Sequence, residues 1–255
     1  MNVVGSELSQ QYRKHFIPLE SNPEVFTELL HKLGVSPALE FQDVLSLDDP
    51  ELLAFLPRPV LALILVFPTT SSYDNKVYEE DAERQPYSAS HDDGDVVFFK
   101  QTINNACGLY AILHAICNSE ARSELGTRTP EARDSIVGRL EHQCSRLGPD
   151  EVALLLETDI ELERVYVELA QKGDTEAPGN AEDEVDYHYV CFVKSHEDGH
   201  LYQLDGDRKC PIQLGAVPAN EDVLSDPCLR VIRGMIAQEN ENANFNLMAL
   251  VPAGS

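Results

Sequence analysis

The apolar residues of "SNPEVFTELLHKLGV" recur at helical spacing, so that Val25, Phe26, Leu29, Leu30 and Leu33 share one side. Asn22 and Pro23 supply a start and Gly34 a stop. The stretch predicts an amphipathic helix. "DDPELLAFL" repeats the Asp-Pro opening on a shorter scale. The run "VLALILVF", Val60 to Phe67, does not alternate and lies between two prolines, which predicts a strand buried on both faces. From Tyr73 to Asp95 the chain is polar, acidic and aperiodic, the pattern of a long surface connection.

"VVFF" (Val96 to Phe99) then predicts a short strand leading into "KQTINNACGLYAILHAICN". There Leu109, Ile112, Leu113 and Ile116 line one face of a helix that begins near Cys107. A third capped helix is expected in "TPEARDSIVGRLEHQCSRLG", and helical composition continues through "DEVALLLETDIELERVYVELAQKG" into the acidic linker "DTEAPGNAEDEVD". "HYVCFV" (His188 to Val193) and "LYQLD" (Leu201 to Asp205) read as strands joined by the turn-rich "KSHEDGH". A helix near "PCLRVIRGMIAQ" and a strand "FNLMAL" close the pattern. Irregular alternation with one clear hairpin predicts an α+β domain with a largely antiparallel sheet.

Composition narrows the function classes. The 255 residues suffice for one substantial core, and 44 acidic against 19 basic side chains leave a net charge of -25. Such a field repels phosphate backbones and anionic lipid, so nucleic acid and membranes are not expected partners, while a basic partner suits it. The opening residues lack the apolar core of a signal peptide, and no apolar run is long enough to span a bilayer. Six cysteines without CxxC spacing read as reduced thiols of a cytoplasmic or nuclear protein.

One of those thiols stands apart. Asn104, Asn105 and Gly108 favour a turn at the helix start, which places Cys107 in the first turn, where unpaired backbone N–H groups and the helix dipole favour the thiolate. Gln101, six residues earlier at the end of "VVFFK", has the side-chain amide that acyl transfer needs for its oxyanion. A general base has to come from elsewhere. His114 lies seven residues along the helix, about 10 Å of rise away, and is expected to be a packed helix histidine. His188 is the better candidate: pairing Lys194 with Gly199 sets it directly opposite Asp205, which can then hold the imidazole in the tautomer that deprotonates a thiol. The other five cysteines are expected in the core. A zinc reading of Cys191, His196, His200 and Cys210 fails on spacing, since "EDG" between the two histidines is a turn.

Together these blocks resemble the ubiquitin C-terminal hydrolases, a papain-like cysteine peptidase family, in its small single-domain form. "FIPLESNPEVFTELLHKLGV" and "FQDVLSLDDPELLAFLPRPVLALILVFP" are similar to its N-terminal region, and "KQTINNACGLYAILHAICN" to its nucleophile motif. "GDTEAPGNAEDEVDYHYVCFV", "GHLYQLDGDRKCPIQLG" and "FNLMAL" are similar to its histidine segment, aspartate segment and last strand. The resemblance implies one catalytic domain over residues 1–255, with a central antiparallel sheet flanked by helices. It also implies a knotted backbone, which no pass along the chain would propose. Cys107 would be the nucleophile, Gln101 the oxyanion donor, His188 the base and acid, and Asp205 the orienting carboxylate, with no metal or cofactor.

The implied substrate is ubiquitin or a close ubiquitin-like modifier bearing a small or flexible leaving group. Glu20 and Asp43 would bind its Arg-rich tail. A crossover loop at about 155–180 would limit leaving-group size. The turn between His188 and Asp205 is two residues longer than the family pattern, and Leu109 stands where a Thr is common. A monomer is the default expected of a compact acidic domain, and the alternative function is a catalytically silent ubiquitin-binding module.

Overall fold

The computed structural model describes residues 12–90, 95–125, 134–144, 146–173, 180, 185, 187–239 and 244–254. The expected first helix is α1, Pro23–Leu33, and its buried residues are the five of the apolar stripe. Asn22 Oδ1 accepts from the N–H groups of Glu24 (2.9 Å) and Val25 (3.4 Å), and Gly34 stops the helix at φ 105°, a conformation that favours glycine. Asp49 caps the short α2, Pro50–Leu53, in the same way.

Strands β1 (Lys14–His15), β2 (Leu39–Asp43), β3 (Ala62–Pro68) and β4 (Ile103–Asn104) precede β5 (Tyr187–Lys194), β6 (His200–Leu204), β7 (Ile212–Ala216) and β8 (Asn246–Pro252). Six of them form one antiparallel sheet in the order β2-β8-β3-β5-β6-β7, while β1 and β4 make a separate two-residue parallel pair. As the unbroken apolar run of β3 predicts, Ala62 to Phe67 are all buried. Ala62, Ile64 and Val66 join the core beneath α1 and the helix α4, Cys107–Asn118. Leu63, Leu65 and Phe67 join a second cluster on the opposite face, covered by the last helix, α8, Asp226–Gln238. The central sheet with helices on both faces is the α+β architecture that the sequence predicts. The edge strands β2 and β7 were not expected: β2 alternates Leu39 and Phe41 inward over only five residues, and β7 is largely exposed.

Three expectations are corrected. Residues 71–82 of the supposed surface connection form a helix, α3 (Ser71–Ala82), capped by Thr70 and without an apolar stripe. Tertiary contacts hold it: Tyr73 packs edge-on against Phe67, and Asp81 pairs with Arg208 in the interior. Val96–Phe99 is buried, as a core strand would be, but lies outside the sheet. Side chains of α4 replace a partner strand: Asn118 accepts from Val97 N–H (2.6 Å) and donates to Val97 C=O (2.9 Å), and His114 Nε2 accepts from Phe99 N–H (3.0 Å). In the hairpin, Lys194 pairs with Leu201 rather than Gly199. The shift is two residues, so every side chain keeps its face.

Helix α5, Ile136–Cys144, falls within the third predicted helix, whose start lies outside the described residues. The helical stretch that follows is two helices, α6 (Pro149–Thr158) and α7 (Ile160–Ala170), broken at Asp159, whose side chain caps the second. Helix α7 occupies part of the segment expected to cross over, and it is a core helix: Leu162, Val165, Tyr166 and Leu169 are buried, and Tyr166 O–H donates to Ile17 C=O at 2.9 Å. Of the acidic linker, only residues 180 and 185 are among those described.

The buried backbone of Val97 has Asn118 as its partner for both N–H and C=O. Asn118→Ala should therefore cost about 3 kcal/mol, by stranding two interior polar groups, and urea denaturation should show it as a lowered midpoint.

Candidate active site

Cys107 is the first residue of α4 and is buried. Asn105 turns the chain into the helix at φ 58°, as the asparagine pair predicts, and no side chain caps the N-terminus. The backbone dipoles of the first turn therefore act on the thiol without a competing cap. Gly108 lets this end approach α1 closely, since a Cβ there would lie 3.3 Å from Leu19 Cδ1 and Phe26 Cζ. All twelve residues of α4 are buried, so the helix is wrapped on every side rather than presenting one apolar face.

His188, the second residue of β5, is paired with Phe67 of β3. Its Nε2 lies 2.8 Å from Asp205 Oδ1, and both side chains are buried. The expected partnership is present, although strand pairing ends at Cys191 with Leu204 and Asp205 follows the last residue of β6. Asp205 Oδ1 also accepts the Asp207 N–H at 3.0 Å, and Oδ2 accepts the Tyr73 hydroxyl at 3.3 Å. Burial pulls the imidazole pKa down, but the charge and hydrogen bond of Asp205, with a further hydrogen bond donated to Cys107, carry it well above the usual histidine range. Burial likewise raises Asp205, and His188 outweighs it to hold the carboxyl below its ordinary value. Both shifts favour the imidazolium–carboxylate form of the pair.

Gln101 is buried, and its N–H donates to Gly206 C=O at 2.8 Å. A Cβ at Gly206 would lie 2.9 Å from Gln101 Cβ, so the residue after Asp205 has to be glycine for the two segments to meet this closely. Cys107, Gln101, His188 and Asp205 line one cavity of about 870 Å³. An adjoining groove of about 570 Å³, sharing Val185 and Tyr187 with it, is lined by Glu20, Ser21, Tyr189 and Asn246. Asp43 ends β2 and accepts from Asn246 Nδ2 at 3.1 Å, which puts it beside that groove.

His114 is interior, as expected, and burial lowers its pKa to about 3, in keeping with a neutral acceptor for Phe99 N–H. Cys117, Cys144, Cys191 and Cys228 are buried, Cys210 is half-buried, and no cysteine is disulfide-bonded. Burial pushes the Cys144 thiol up to about 12 and those of Cys117, Cys191 and Cys228 upward too, which leaves them protonated. Among the described residues, the group of three whose ligand atoms come within 4.8 Å of one another is His188, Asp205 and Asp207, not the set around His196 and His200.

Two residues near the site were not singled out beforehand. Tyr73 lies in the stretch taken for a surface connection. Asp207, exposed, lies 3.7 Å from His188 Nδ1 and accepts from Tyr12 O–H at 3.3 Å. The acidic pair in "LDGD" was the available signal for Asp207; for Tyr73 there was none.

A helix-start thiol and a buried imidazole–carboxylate pair in one cleft define the class of cysteine hydrolases. The family model described as ubiquitin carboxyl-terminal hydrolase, family 1 (Peptidase_C12) matches residues 16–237. A Drosophila melanogaster ubiquitin carboxyl-terminal hydrolase is 33% identical over 236 residues, 92% of this chain and 97% of its own. YUH1 of Saccharomyces cerevisiae is 35% identical over 233 residues, 89% of each chain. The chain therefore belongs to ubiquitin carboxyl-terminal hydrolase family 1. A solved structure of the Trichinella spiralis UCH37 catalytic domain, bound to ubiquitin vinyl methyl ester, shares the fold with TM-score 0.69 at 22% identity, covering 97% of this chain and all of that one.

The pair makes a pH prediction with a definite sign. A raised His188 pKa contributes stability that is complete below the unfolded value of about 6.5 and is lost as pH rises through the folded value. The lowered Asp205 pKa contributes stability that is present above about 3.9 and is lost as pH falls through its folded value. In Asp205→Asn burial acts without the counter-charge, so NMR titration of the His188 ring should move from above the ordinary histidine range to within or below it.

Proposed function

We propose that the chain is a thiol-dependent hydrolase that releases small or flexible groups from the C-terminal glycine of ubiquitin or a close ubiquitin-like modifier. The observation carrying this reading is the convergence of Cys107, Gln101 and the buried His188–Asp205 pair on one cavity. The Cys107 thiolate attacks the terminal glycine carbonyl, and the Gln101 amide with the Cys107 N–H stabilises the oxyanion. Collapse of the tetrahedral intermediate breaks the bond to the leaving amine or thiol, which takes the proton of the His188 imidazolium. Neutral His188 then deprotonates the water that attacks the thioester, and collapse of the second tetrahedral intermediate frees the modifier and restores the thiolate beside the imidazolium. Asp205 holds the ring by Nε2, which leaves Nδ1 for the thiol.

Glu20 on the adjoining groove, and Asp43 beside it, would take the basic tail of the modifier. The reading treats residues 1–255 as one catalytic domain with the knotted thread of the family. The crossover loop is taken to fall within about 155–180, a stretch that includes α7. It also takes the protein as a monomer of the cytoplasm, with the nucleus open to it, that binds neither nucleic acid nor membrane. No helix among the described residues is long and apolar enough to cross a membrane.

The test is fluorophore release from the C-terminus of full-length ubiquitin, with a ubiquitin-like substrate alongside. Cys107→Ala should abolish turnover while retaining binding, and Gln101→Ala should lower kcat by about 100-fold through loss of one oxyanion donor. Glu20→Gln and Asp43→Asn should raise KM more than they lower kcat. A folded wild type that binds ubiquitin yet turns over neither substrate would instead identify the silent binding module.

A further inference from the structure

The buried Asp205 has a second oxygen, and what holds it comes from α3. Tyr73, in the first turn of that helix, donates its hydroxyl to Asp205 Oδ2 at 3.3 Å, on the side away from His188. Thr70 Oγ1 accepts the Tyr73 N–H at 3.3 Å, and the Tyr73 ring packs edge-on against Phe67 at 4.9 Å, the residue opposite His188 across the sheet. The tyrosine is thus braced against the strand pair that carries the histidine.

The far end of α3 grips the same turn. Asp81, 6% exposed, binds Arg208, 5% exposed, through Nε (3.2 Å) and Nη2 (3.0 Å). Its Oδ2 accepts the Lys209 N–H at 2.9 Å, and its C=O accepts Lys209 Nζ at 2.8 Å. An ion pair this deep is held for geometry more than for stability, because two desolvated charges recover little net energy. Both ends of α3 therefore clasp residues 205–209, and Gly206 of that turn hydrogen-bonds Gln101.

We infer that Tyr73 is a positioning residue for the hydrolase reaction: its hydroxyl fixes the orientation of the Asp205 carboxylate and keeps it ionised, with the Asp81–Arg208 pair bracing the helix that presents it. The inference rests on the reading of His188 and Asp205 as the catalytic pair. The ionisable groups whose charges reach Asp205 are His188 of β5, His114 of α4, Tyr12, Tyr73 of α3, and Asp207 and Arg208 of its own turn. Of these, Tyr73 is the one bonded to Oδ2.

Tyr73→Phe deletes the hydroxyl and keeps the ring on Phe67, so the fold should survive. Without that donor the buried carboxylate becomes more basic, so protonation of Asp205 and loss of the His188 proton both shift to higher pH. The expected result is a kcat/KM lower by about tenfold, mostly in kcat, with the acid limb of its pH profile moved up by about half a unit or more. NMR titration of His188 should move upward as well, a readout that needs no turnover.

An acid limb and a His188 titration unchanged from wild type, whether or not thermal stability falls, would overturn the inference and leave Tyr73 a packing residue. Failure of the hydrolase reading is separately visible: the wild type itself would then show no turnover, while the titration would still decide whether Tyr73 tunes the pair.

Discussion

The geometry of the cleft depends on a backbone that has no strand partner. Residues 96–99 run through the interior outside the sheet, and interior peptide groups have to be paired. The partners are Asn118 and His114, both on α4, the helix that begins with Cys107. One helix therefore carries the thiol and, about two and three turns further on, the side chains that fix the segment leading to Gln101. That segment then pairs through the Gln101 N–H with Gly206, next to Asp205. Thiol, amide and carboxylate are registered to one another by hydrogen bonds among other groups.

The second constraint is electrostatic. An ion pair out of water is stable only when both charges are well satisfied, and the His188–Asp205 pair is supplied from several directions. Asp205 receives the imidazole, the Asp207 N–H and the Tyr73 hydroxyl. His188 stands near the end of β5, where its backbone is paired with Phe67 of β3. The buried imidazole is thereby held by its carboxylate in a way that a surface histidine would not be.

Helix α3 shows why part of this was hidden. Its residues are mostly polar and its few apolar ones make no continuous stripe, so local pattern favours coil. What makes it a helix is Tyr73 on Phe67 and Asp205, and Asp81 on Arg208, contacts spanning more than a hundred residues in the case of Asp205 and Arg208. "VVFF" illustrates the opposite error: its apolarity foretold burial correctly, but burial alone does not specify which groups complete the backbone hydrogen bonds. The hairpin lies between these cases. Its turn was placed two residues off, yet the parity of β structure kept the His188 partnership intact.

Local sequence by itself determined the capped helix α1, the doubly buried strand β3 and the helix that begins at Cys107, and it singled out the four residues proposed for the site, which the family resemblance reached as well. Each of these rests on periodicity, capping or residue chemistry within a short window, where the physical cause lies next to its effect in the chain. Only the tertiary structure decided that α3 is a helix and that Asn118 and His114 stand in for a strand. It also decided that Tyr73 reaches the far oxygen of Asp205, and that α7 packs its apolar face into the core. Those outcomes come from buried polar groups and charges finding partners far away in sequence, and that requirement acts only once the chain has folded.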